Sequence, residues 1–213
     1  MRISLLLSFL FLSTALLAQK PFIGTLKYQA TIMIPDTNIV YKQWNVTLTT
    51  NDTIVRVETE TEMFGNQVYI RNMAANKAYL LINMTGQGYA IQNDLSKKDS
   101  ANPESQYLIK KVKGKKKIAG YKSQKYHVID KGDSTGYDCY FTKKIKGKYL
   151  EVYKEIPYLA TDYYIPSTEG LIHYELKEVK LEPVSRDMFG IPSDYKRITF
   201  DEFMNMFISG EGN

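Results

Sequence analysis

Most of this chain alternates apolar and polar residues one by one, and a period of two admits little other than half-buried β-strands. In GTLKYQATIMI, Leu26, Tyr28, Ala30, Ile32 and Ile34 share one side. Trp44, Val46 and Leu48 point together in the next run, then Val55 and Val57. After a turn at Phe64 to Asn66 come QVYIRN, KAYLLI and QGYAIQ, whose connections are short enough for hairpins and so for antiparallel pairing. The runs YLIKKV, KYHVID, YDCYFTK and LIHYELKEVKLEPV continue the pattern. In the last, the apolar phase slips between Leu176 and Val179, the mark of a bulge.

Two stretches break the period. From Gly147 to Ile156, the spacing of Tyr149, Leu150, Tyr153 and Ile156 predicts a helical segment stopped by Pro157. At the C-terminus, Thr199 to Glu202 has the form of a capping box, in which hydroxyl and carboxylate satisfy each other's free backbone amides. Phe200, Phe203, Met204, Phe207 and Ile208 then make an apolar stripe ended by Gly210. A helix this short needs packing to persist, so it is expected to act as a lid over the sheet.

Residues 1–18 have one cation, Arg2, followed by apolar runs from Leu5 to Leu12 and Ala15 to Ala18, the layout of a secretory signal peptide. No Cys stands at the junction to carry a lipid. The expectation is therefore an exported, periplasmic protein, with residues 19–213 as a single monomeric domain, about the size that supports one real core. The polar loop from Asn93 to Gln106 is long enough only to join two halves of one sheet.

Charge narrows the partners. Without residues 1–18 the net charge is about +4, mild for a composition-level argument. The lysines Lys110, Lys111, Lys113, Lys115, Lys116 and Lys117 form one cluster, split by Gly114 and without Arg. Nucleic-acid binding needs several phosphates neutralised together with aromatic or Arg stacking, so this cluster reads instead as a solvated hairpin turn. As such it is expected to add little to stability. Lys113, Lys115, Lys116 and Lys117 remain suited to an anionic membrane surface.

No catalytic constellation is evident. HExxH and phosphate-cradling glycine loops are missing, and the G-x-S-x-G match at Gly132-Asp133-Ser134-Thr135-Gly136 reads as a hairpin turn between strand runs, so neither an enzyme nor a cofactor is expected. Glu58, Glu60 and Glu62 on one strand face have the donor type for a hard cation but read as a solvated face opposite lysines, while Asp130, Asp133 and Asp138 around a turn lack EF-hand spacing, and no metal is expected. Cys139 falls on the side of Tyr137 and Phe141 in GYDCYFT and reads as a core residue. His127 and His173 lie in strand runs and read as structural.

The segment Ile118-Ala119-Gly120-Tyr121-Lys122 before KYHV, and Phe189-Gly190-Ile191-Pro192-Ser193-Asp194-Tyr195, resemble the two signature elements of a function-unassigned family of exported Gram-negative proteins. That family is similar in fold to the periplasmic lipoprotein carriers LolA and LolB. Two positions depart from its pattern, with Ser123 where many members carry Cys and Asp194 where Gly is common. The first removes a disulfide partner for Cys139. STEGLIHYEL keeps only the GLI of the related GLPGLI family.

The resemblance implies a mainly β fold, a curved antiparallel sheet forming an unclosed barrel under the C-terminal amphipathic helix, whose concave side binds acyl chains. On that reading Trp44, Val46, Leu48, Val55, Val57, Tyr89, Tyr126 and Phe141 line an apolar ligand cavity, and Phe203, Met204, Phe207 and Ile208 form its lid. The expected function is an exported carrier for a lipid, acyl chain or lipidated protein. The alternative is an envelope interaction module with a filled core that binds protein or glycan by its rim. Alternation alone fits both, because every sheet buries a face.

Overall fold

A computed structural model of the chain describes residues 21–34, 37, 39–61, 65–95, 106–132, 134–150 and 152–208. Twelve strands follow one another: β1 (Ile23–Met33), β2 (Val40–Asn51), β3 (Ile54–Thr61), β4 (Gly65–Asn72), β5 (Lys77–Met84), β6 (Gln87–Asp94), β7 (Tyr107–Ile118), β8 (Tyr121–Asp130), β9 (Gly136–Lys146), β10 (Tyr158–Ser167), β11 (Gly170–Leu181) and β12 (Lys196–Thr199). One helix, α1 (Phe200–Ile208), closes the described chain. The signal-peptide reading, Glu62, Phe64, Asp133, the side chain of Phe207 and Gly210 lie outside the described residues, as does most of the loop before β7.

All twelve strands belong to one sheet, in the order β12-β6-β5-β4-β3-β2-β1-β11-β10-β9-β8-β7. It consists of two hairpin meanders, β1 to β6 and β7 to β11, joined where β1 pairs antiparallel with β11. Along that seam Leu26 faces Val179 and Tyr28 faces Leu176, and the skipped Lys177 is the bulge where the apolar phase slips. Only β12 runs parallel to its neighbour, with Ile198 opposite Ile91. β7 and β12 end the strand order unpaired with each other, so the barrel is not closed.

The sheet nevertheless rolls strongly. Six steps separate β4 from β9, about 29 Å if flat at ~4.8 Å per step. Yet Arg71 of β4 donates to the carbonyl of Lys148, two residues beyond β9, and Lys148 Nζ sits 2.8 Å from Asp52 in the β2–β3 turn. The inner face holds the main core, including Leu26, Tyr28, Leu48, Val55, Cys139, Phe141 and Tyr163.

The strap from Gly147 to Pro157 fills this concavity. Its expected helix is only a single 3-10 turn, Gly147–Tyr149, followed by Tyr153 at φ 50°. Tertiary contacts override the helical spacing. Tyr149 is 1% exposed, donates to the Asp52 carboxylate, and accepts from Phe22 N at 3.0 Å. Tyr153 and Ile156 are buried beside it. A Cβ on Gly147 would lie 2.8 Å from the carbonyl oxygen of Tyr158 and 2.9 Å from that of Ile156, so only glycine turns the chain here.

Helix α1 packs on the sheet, but at its β12–β6 edge rather than across the main concavity. Phe203 and Met206 pack with Ile82, Ile91 and Ile198. Met204 and Ile208, expected to face the sheet, are 41% and 80% exposed. The capping box forms, with Glu202 Oε2 accepting from Thr199 N at 2.6 Å and Thr199 Oγ1 accepting from Glu202 N at 3.2 Å. It fixes the start of the helix directly after Ile198 and so turns the 203/206 edge toward β6. On the opposite face, Ile191 and Tyr195 cover Val68, Ile70, Leu81 and Ala90. The Tyr195 ring lies against Gly88, where a Cβ would come within 2.7 Å of it.

Candidate functional site

The lysine cluster is not a turn. It runs within the edge strand β7, and the hairpin tip is Ala119-Gly120, at φ 45° and 85°. Lys115, Lys116 and Lys117 pair in register with Gln124, Ser123 and Lys122. Strand alternation therefore sends Lys115 and Lys117 to the inner face and Lys116 to the outer one. Between Lys111 and Lys115 the ladder is broken by a bulge, pinned where Gln124 Nε2 donates to the carbonyls of Val112 at 2.7 Å and Gly114 at 3.0 Å.

A second irregularity lies on β9. Thr142 is opposite Leu159 but Lys146 is opposite Tyr158, leaving three residues with no partner in the ladder. Ile145 turns into the core while Lys143 and Lys144 swing to the surface. Bulges re-aim side chains, and these two flank β8 on either side.

Between them lies an open cleft of about 710 Å³, lined by Lys111, Lys115, Gly120, Tyr121, Lys122, Gln124, Phe141, Lys143 and Lys144. The Phe141 ring is fully buried beneath it, packed edge-on with Tyr126 at 5.2 Å. Among the described residues, five lysines line the cleft and no carboxylate does. Lys143 Nζ lies 5.2 Å from the Tyr158 ring centre. Among the described residues, Lys111, Lys115, Lys122 and Lys144 make no ion pair, whereas Lys27, Lys42, Lys116, Lys125, Lys148, Lys177 and Lys180 each have a carboxylate within 3.2 Å.

On the outer face of the same strands the charges are matched. Asp162 is 5% exposed, with His173 Nε2 at 2.7 Å and Lys116 Nζ at 3.0 Å. Burial alone would raise its pKa, but the hydrogen bonds from His173 and Lys116 outweigh this and hold the carboxyl below its ordinary value. Tyr164 stacks on His173 at 4.5 Å. Asp138 takes Lys125 at 2.5 Å and His127 at 3.1 Å.

Strand pairing brings Trp44, Val46, Leu48, Val55, Val57, Tyr89, Tyr126 and Phe141 to one face of the sheet. They do not surround one space. Val46, Leu48, Val55 and Phe141 are buried in the core, Trp44, Val57 and Tyr126 pack at its margin, and Tyr89 lies in the separate cluster with α1. Only Phe141 of this set reaches the cleft. The cleft itself was not expected, although the interrupted lysine pattern around Gly114 and in KKIKGK carried a trace of it. Cys139 is fully buried, and burial pushes its thiol up to about 11, so it is held as an unreactive thiol. Among the described residues no group of acidic, His or Cys side chains is arranged to hold a metal, and no helix is long and apolar enough to cross a membrane.

No family model matches this chain, and no curated protein matches it in sequence. Among solved structures it is similar to MucB, solved in complex with MucA(peri), at 12% identity and a TM-score of 0.43, covering 83% of this chain and 57% of that one. It is also similar to an uncharacterized conserved protein from Thermus thermophilus, at 9% identity and a TM-score of 0.51, over 83% of this chain and 90% of that one. At such identity the relation to the Thermus protein is one of fold, an open antiparallel sheet with its helix packed on it.

Proposed function

We propose that the protein is a non-catalytic binding protein of the cell envelope that holds an anionic amphiphile, a lipid or lipid-bearing molecule, in the cleft between β7, β8 and β9. One observation carries this reading: a cleft of about 710 Å³ joins the half-buried Tyr121, over the buried Phe141, to a rim of lysines, four of which have no carboxylate partner among the described residues. Like charges around a concave, low-dielectric wall concentrate positive potential. Each lysine near an anionic lipid surface contributes about 1 kcal/mol. An apolar floor alone accepts any neutral ligand, and lysines alone accept any polyanion. Their combination favours an acidic head group on an apolar body. The packed core beneath the strap supports the second reading, an interaction module that binds an acidic protein by the same rim.

Cosedimentation of the mature protein with vesicles separates them. Vesicles of phosphatidylcholine containing phosphatidylglycerol are expected to retain the protein at low salt and release it at high salt, and phosphatidylcholine alone is not. Lipid extracted from natively purified protein is expected to be acidic by mass spectrometry. Equal binding to both vesicles, or to neither, removes the lipid reading and leaves the interaction module.

A further inference from the structure

The end of β9 contributes lining residues both to the cleft and to a second cavity of about 440 Å³. Lys143 and Lys144 line the first, and Lys146, Lys148 and Lys154 line the second. The second is also apolar at its base, where the strap contributes Val152, Ile156 and Pro157. Lys148 is engaged by Asp52 at 2.8 Å and the same carboxylate also feels the charge of Lys146, but among the described residues neither Lys146 nor Lys154 makes an ion pair. Lys144 and Lys146 are two positions apart, about 7 Å along extended chain. The same break in the β9–β10 ladder that exposes Lys143 and Lys144 ends at Lys146, so one backbone device feeds both cavities.

We propose that the two cavities form a single bipartite site for an amphiphile carrying two anionic groups on one head, of the bisphosphate type. One group sits among Lys111, Lys115 and Lys144, the other between Lys146 and Lys154. This rests on the cleft reading and sharpens its ligand class. A single anion seated in one cavity leaves the lysines of the other without a bound anion. Two anions joined by a short bridge satisfy both, and the two apolar floors receive the acyl portions. Basic pockets of this kind are a recurring means of holding phospholipid head groups.

The test compares cardiolipin, with two phosphates, and phosphatidylglycerol, with one, in phosphatidylcholine nanodiscs at equal total phosphate, using the full mature chain. Native protein is expected to bind cardiolipin discs about tenfold more tightly. The double variant Lys146→Gln/Lys154→Gln is expected to lower cardiolipin affinity to the phosphatidylglycerol level and leave phosphatidylglycerol affinity unchanged, with its circular dichroism spectrum intact. Equal native affinity for the two lipids, or a parallel loss of both in the variant, overturns the bipartite site and leaves the cleft reading standing. Absence of binding to either lipid overturns both.

Discussion

Strands β7, β8 and β9 carry lysine on both of their faces, and the two faces treat it in opposite ways. On the outer face Lys116 and Lys125 end at carboxylates, Asp162 and Asp138, and both ion pairs tie strands together. On the inner face Lys111, Lys115, Lys122 and Lys144 gather around a cleft with no acid among its described lining residues. Lys115 and Lys116 are adjacent in sequence and belong to different arrangements. Lys116 crosses β8 and β9 to reach β10, over the fully buried Ser123 that it faces in the ladder. The difference teaches that a cation's place in the pleat, rather than its membership of a charge run, decides whether it fastens the fold or is left for a ligand.

The largest expected effect lies on the inner face. Replacing Lys111, Lys115, Lys122 and Lys144 together by Gln removes about 4 kcal/mol of attraction to an anionic lipid surface, at ~1 kcal/mol each. Vesicle affinity is expected to fall by two to three orders of magnitude while the melting temperature holds. A variant that unfolds instead would show these lysines fasten the sheet as Lys116 does.

The outer face gives the next effect, in stability rather than binding. Asp162→Asn leaves Lys116 without its charge partner and His173 without the carboxylate it hydrogen-bonds. Breaking a fully buried pair costs about 3–5 kcal/mol. Here Lys116 and His173 are 48% and 30% exposed, so about 2 kcal/mol is expected after solvent screening. The cost has a defined pH dependence, readable from urea unfolding. Because the folded pKa of Asp162 is depressed, its contribution is present above the unfolded value of about 3.9 and is lost as pH falls through the folded value. The gap between native and Asp162→Asn protein should narrow as pH falls below about 4. A gap that persists in acid would mean the carboxylate is not what matters.

Single substitutions on β7 sharpen the contrast between neighbours. Lys116→Gln is expected to cost about 1 kcal/mol, a charge-assisted hydrogen bond discounted for the half-exposed ammonium, and Lys115→Gln nothing resolvable. Smallest of all, Lys113→Gln, at the bulge, should shift stability by no more than about 0.5 kcal/mol. Equal losses at Lys115 and Lys116 would erase the distinction between the faces.

Alternation made the sheet legible because a half-buried strand needs nothing beyond a period of two. It put Trp44, Leu48, Val57 and Phe141 on one face and marked a bulge between Leu176 and Val179, where the pairing skips Lys177. The capping box was equally local, since Thr199 and Glu202 need only each other. What stayed hidden depended on distant partners. The strap resembles a helix until Asp52, 97 positions away from Tyr149, takes its hydroxyl. The lysines of β7 resemble a solvated turn because Lys is a poor strand former, and only the pairing with β8 draws them into a ladder. The cleft was least visible, because it is made by two breaks in regular pairing on strands that are not neighbours.

The seam between the two meanders governs how the molecule can be assembled in time. Each meander pairs only neighbours in sequence, whereas Leu26 meets Val179 across most of the chain. Closing so large a loop comes before any contact that rewards it, and topologies dominated by distant pairing fold slowly. Until the seam forms, β1 and β11 are both open edges able to pair with another chain. In pulse-labelling hydrogen exchange during refolding, amides of β3 to β5 are expected to gain protection before those of β1 and β11. The reverse order would place the nucleus at the seam. The most vulnerable moment for this protein is therefore the interval in which both halves exist but have not yet met.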